Sequence, residues 1–106
     1  PFVDYEDVPE ELHGKKLTKK QKNNGDVDDK HFERWDWVLD EMIWAFEQKC
    51  RDYWEGDYYG PYIEGEDGKF LNGRFEWTDD TGRQAHQARM TIGFKLFGKY
   101  LENLWD

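Results

Sequence analysis

With a single cysteine in 106 residues, the chain has no partner for an intrachain disulfide, and a disulfide-stabilised secreted fold is excluded. Long apolar runs are missing as well. No stretch approaches the ~20 apolar residues that a membrane-spanning helix needs, and neither a secretory core nor a transit peptide is visible. Basic charge is in deficit: the formal net charge is -9. Non-specific binding to nucleic acid requires a basic patch facing the phosphates, so it is not expected. There is no phosphate-cradling glycine loop and no nucleophile elbow. The three prolines, Pro1, Pro9 and Pro61, leave two long segments free of helix breakers. Pro rather than Met at the first position is the start expected of a processed or trimmed chain, or of part of a longer one.

What the chain has is aromatic surface. Aromatic residues make up 18% of it, six of them tryptophans, although charged residues reach 37% and the mean hydropathy is -1.13. Low hydropathy and high charge alone describe a disordered chain, whereas buried aromatics dominate core and interface energetics. The two fit together if order is concentrated in HFERWDWVLDEMIWAFEQKCRDYW (31–54) and GRQAHQARMTIGFKLFGKYLENLWD (82–106).

The first stretch predicts a helix that starts near Asp28 or Asp29, favoured caps, and ends near Gly56. On a helical wheel Phe32, Trp35, Leu39, Met42, Ile43, Phe46, Cys50, Tyr53 and Trp54 form one broad stripe, which reads as the core. Cys50 is then a small buried hydrophobe. Trp37 and Trp44, seven residues apart, share a second face. The second helix is expected from Thr81, with Thr81 and Gln84 as a capping box. Its main stripe is Met90, Phe94, Phe97, Tyr100, Leu101, Leu104 and Trp105, with Gly93 permitting close approach. Ala85, Ala88, Ile92 and Leu96 form a second apolar face.

Between the helices, Asn72-Gly73 separates Phe70-Leu71 from Arg74-Phe75, a hairpin signal, so a small β-hairpin is expected within about 57–78. Residues 1–27 read as an irregular N-terminal arm, with one helical turn after Pro9 and a run, GKKLTKKQKNNGD, that holds five of the 15 basic residues. That run reads as solvated, or as docking on an acidic partner such as another copy of the chain. The fold class is therefore mainly α: an antiparallel hairpin of two long helices over 28–106, with an inserted β-hairpin. Two helices do not cover two apolar faces each, so oligomerisation or a partner is expected to complete the fold.

Chemistry is sparse. Glu33, Asp36, Asp40 and Glu47 share one edge of the first helix, and clustered carboxylates suit a hard divalent cation. Glu33 and Asp36 have the Glu-x-x-Asp spacing of all-helical nucleotide pyrophosphohydrolases, but the second helix offers no matching acidic motif. Cys50 and His86 lack a third, orienting group, and His86 reads as a packed structural histidine. No cofactor is implied. Tryptophan and tyrosine are typical interface anchors, so Trp37, Trp44, Trp77, Tyr58, Tyr59, Ile92 and Leu96 are the candidate interface residues, with Glu33, Asp36 and Asp40 as the alternative metal set.

The segments ERWDWVLDEMIWAFEQ (33–48) and GFKLFGKYLENLWD (93–106) resemble small proteins encoded by tailed bacteriophages. The resemblance implies a phage context, in the host cytoplasm or the virion, and carries no catalytic residues. The expectation is a non-enzymatic, self-associating or partner-binding module. The rival readings are an inhibitor that imitates nucleic acid with its acidic surface and a metal-dependent nucleotide pyrophosphohydrolase.

Overall fold

The computed structural model describes residues 1–65 and 73–104. In chain order these hold 3₁₀ turns at Tyr5–Asp7 and Glu10–Leu12, α1 (Lys19–Asn23), α2 (His31–Cys50), a 3₁₀ turn at Trp54–Tyr58, β1 (Tyr59–Ile63), β2 (Arg74–Trp77), α3 (Asp80–Tyr100) and a last 3₁₀ turn at Leu101–Asn103. Helices dominate, and the two long ones pack on each other. Gln48 meets His86, Glu41 meets Arg89 and Trp35 meets Tyr100, so α2 and α3 run antiparallel.

One residue sets the spacing between them. A Cβ on Gly93 would lie 2.5 Å from the Ala45 Cβ and 2.7 Å from the Glu41 carbonyl oxygen. Glycine opposite alanine therefore lets the backbones of α2 and α3 nearly touch. Val38 and Ala45 are completely buried along this seam, with Met42, Met90 and Leu96 beside them.

The ends of the helices differ from the sequence expectation. Arg51 caps α2 with extended backbone and holds Asp57 through two bonds of 2.9 and 3.0 Å. Tyr53 and Trp54 therefore lie beyond the helix, which stops at Cys50 rather than near Gly56. The cap of α3 is Asp79, whose carboxylate accepts from Gly82 N at 2.9 Å. Gln84 donates instead to Asp80, so the expected Thr81–Gln84 box does not form. A reciprocal capping box does form at Thr18 and Gln21, starting α1.

The two strands are antiparallel, with Tyr59 opposite Trp77 and Ile63 opposite Arg74. Between Tyr59 and Tyr62 the register slips, a bulge that accommodates Pro61, which has no N–H for the ladder. The expected partner of β2, Phe70-Leu71, and the Asn72 turn position lie outside the described residues, as does Trp105. The strand found opposite β2 is β1.

Residues 3–12 lie against the helix pair. Val3 and Val8 are buried with Val38, Leu96 and Tyr100. Asp4 N donates to the Tyr100 hydroxyl at 3.0 Å, and that hydroxyl donates to Asp7. Lys99 Nζ bonds Asp4 at 2.7 Å and Asp7 at 2.6 Å. At the start of α2, Arg34 is 3% exposed and makes a two-pronged bond to Asp28 (2.7 and 2.6 Å), with a third to the Leu12 carbonyl. The guanidinium holds the Asp28 carboxyl at a pKa of about 2. Gly14 is required here, because a Cβ would meet Asp28 Oδ1 at 2.0 Å.

The result is a long, thin molecule. Its principal extents are 76 × 27 × 14 Å and its radius of gyration is 21.0 Å, against about 13 Å for a compact domain of this length.

The seam predicts opposite signs for two glycines of α3. Gly93→Ala should destabilise the chain by about 1–3 kcal/mol through overpacking. Gly98→Ala meets nothing within 4 Å and should stabilise it by about 0.5–1 kcal/mol through helix propensity. Urea unfolding followed by tryptophan fluorescence measures both; equal shifts at the two positions would contradict the seam.

Candidate protein-docking face

A layer of two helices has two faces, and this chain treats them differently. On one, the N-terminal segment lies over Val38, Leu96 and Tyr100, and Trp37 and Ile92 line a cleft beside Pro9. On the other, Leu39, Ile43, Phe46 and Cys50 of α2 face Phe97 and Leu104 across a groove of about 420 Å³ that no described residue covers. Phe46 packs edge-on against Phe94 and Phe97, with ring centroids 5.2 and 5.0 Å apart. Even so, Ile43 remains 54% and Phe46 41% exposed, and Phe32, a little further along the same face, 72%.

These are the residues that the wheel reads as core. The buried line of α2 is His31, Arg34, Val38, Met42, Ala45 and Gln48, rotated from the apolar stripe by about 100°, the turn of one residue. The cause is the polar content of the buried line. Arg34 is satisfied by Asp28, Gln48 by His86 and Arg51, and Ala45 is selected by the Gly93 contact. Cys50 is correspondingly exposed on the groove, not a buried hydrophobe.

The candidate interface residues are mostly engaged within the chain. Trp44 lies under the Arg89 guanidinium at 3.9 Å, and Arg89 also bonds Glu41 twice at 2.9 Å. Trp37 is half-buried and packs on the core. Leu96 belongs to the core itself; Ile92 is 51% exposed. Tyr59 stacks on Trp77 at 4.0 Å and on Tyr53 at 5.7 Å, and Arg83 covers the other side of Trp77 at 4.4 Å.

Tyr58 belongs to a histidine box. Trp54 stacks on His86 at 4.4 Å, and Trp44 packs at 5.0 Å. The Gln48 side-chain oxygen accepts from Arg51 at 2.9 Å and lies 3.0 Å from His86 Nε2. Because that oxygen is an acceptor, Nε2 carries the proton and Nδ1 accepts from the Tyr58 hydroxyl at 2.8 Å. Burial, together with Arg51 and Arg89, lowers the His86 pKa below its ordinary value. Every polar atom of the ring is satisfied, and Cys50 takes no part, so the arrangement is a structural pin joining both helices to the Trp54–Tyr58 turn.

Glu33, Asp36 and Asp40 are exposed along α2, and Glu33 pairs with Lys30 at 3.3 Å. Among the described residues the acidic groups that converge closely enough to share an ion are Asp4, Glu6 and Asp7, and the Lys99 ammonium already sits among them. No described helix is long and apolar enough to cross a membrane. No family model, curated protein or solved structure matches the chain.

The histidine box predicts a pH dependence. A folded-state pKa below 6.5 means that the unfolded chain takes up the proton first. The stabilisation is complete above about pH 6.5 and is lost as pH falls through the lowered value. Asp28, held at about 2, loses its contribution only below the ordinary carboxylate range. Melting temperature should therefore fall between pH 7 and 5.5, and His86→Gln should flatten that slope; an unchanged slope would refute the assignment.

Proposed function

We propose that this chain is a non-enzymatic interaction module whose α2–α3 groove is completed by a helical surface from another molecule. The observation that carries this reading is the asymmetry of the helix pair: among the described residues, one apolar face is covered by the chain's own N-terminal segment and the other is bare. Monomeric proteins rarely expose contiguous apolar patches of this kind unless the patch binds something. The groove is also rich in the aromatic and aliphatic anchors that dominate interfaces. In the phage setting suggested by the two helix sequences, this is the role of an accessory or assembly protein.

Ile43 and Ile92 provide a matched test, being 54% and 51% exposed on opposite faces. Ile43→Glu should weaken binding of an apolar dye such as anilinonaphthalene sulfonate by about tenfold or more, the ~1.4 kcal/mol scale of a modest anchor. Ile92→Glu should leave it unchanged, and both variants should keep the wild-type circular dichroism. A loss confined to Ile92→Glu would move the docking face to the side on which the N-terminal segment lies.

A further inference from the structure

The rims of the groove differ in charge, and the difference identifies its occupant. Resting on the docking-face reading above, we infer that the groove receives a basic amphipathic helix from a different protein, about three turns of which lie between α2 and α3.

The length comes from the lining. Leu39 and Cys50 mark the ends of the α2 wall, and the eleven steps between them at 1.5 Å rise span about 16 Å, three helical turns. A helix laid there presents side chains at i, i+3 or i+4 and i+7 to the apolar floor, the usual register of helix-in-groove recognition.

The charge comes from the rims. Asp36, Asp40 and Glu47 follow one another at intervals of four and seven along the outer edge of α2, and Glu47 itself borders the groove. All three are exposed, and none forms an ion pair within the described residues. Across the groove the described lining is Phe97 and Leu104, neither of them charged. An acidic wall facing a neutral one selects a helix with Lys or Arg along one flank of its apolar stripe. A second copy of this chain suits the groove less well, since it brings its own acidic row and a like-signed net charge of -9. Rim charges of this kind set partner choice and association rate, and they weaken with salt.

The test uses the intact chain and two synthetic peptides of about five turns that share one leucine-rich apolar face. One carries lysines along the flank and the other glutamates. Isothermal titration at low salt should show the lysine peptide binding roughly tenfold more tightly. That preference should shrink at high salt and in Asp36→Asn/Asp40→Asn/Glu47→Gln, which leaves the apolar lining intact. Equal binding of the two peptides overturns the inference while leaving a docking face in place. A preference that survives the triple substitution overturns the acidic rim as its source, and binding of neither peptide overturns the helix-receptor assignment. A dimer in sedimentation velocity that Ile43→Glu dissociates, and the lysine peptide does not, assigns the groove to a second copy and overturns the inference.

Discussion

The close contact between Gly93 and Ala45 governs the architecture. Where the two backbones nearly touch, the seam admits only small residues, and Met42, Met90 and Leu96 fill it beside that point. Ile43, Phe46 and Phe97 lie on one side of the layer, and Trp37 and Ile92 on the other. The layer then presents two apolar faces. Everything else in the fold manages those faces.

One face is managed internally, and the devices are mostly polar. The N-terminal segment supplies Val3 and Val8, which fill the space over Val38 and Leu96, but it is held by charge-assisted bonds. Lys99 draws in Asp4 and Asp7, Tyr100 bonds the segment through both its donor and its acceptor, and Arg34 with Asp28 fixes the turn at Leu12. Bonds to ionised groups are worth roughly twice those between neutral ones, which suits a segment too short to bury much apolar area. At the other end of the helices the His86 box and the Tyr53–Tyr59–Trp77–Arg83 column engage further aromatic rings. The groove lined by Ile43, Phe46 and Phe97 lacks such a cover within the described residues.

The two long helices, the tight approach at Gly93, the turn after Pro9 and the presence of a strand pair between the helices were legible in the sequence, because periodicity and the lone small residue on an apolar stripe have direct geometric meaning. The orientation of α2 was not. A wheel weights residues by apolarity, while burial here follows packing and pairing: Arg34 and Gln48 lie inside because Asp28, Arg51 and His86 answer them, and Ile43 and Phe32 lie outside. Trp44 finds a cation and a histidine in sequence-distant α3, contacts that no local pattern announces. The N-terminal cover has its own signal in the sequence: Val3, Val8 and Leu12 recur among a cluster of acids, and Lys99 in α3 is the counter-charge of Asp4 and Asp7.

Among the described residues one face of the helix pair is closed and the other open, and thiol chemistry reads both. The native chain carries its only thiol, Cys50, on the groove; Cys50→Ser/Leu96→Cys moves the single thiol to the face covered by residues 3–12. Iodoacetamide alkylation rates in dilute solution, each taken relative to the same chain unfolded in urea, should be near unity for Cys50. For the thiol at position 96 the relative rate should be lower by roughly a hundredfold, since it reacts only on local opening. Equal relative rates at the two positions, or protection of Cys50 with a reactive thiol at position 96, would contradict that asymmetry.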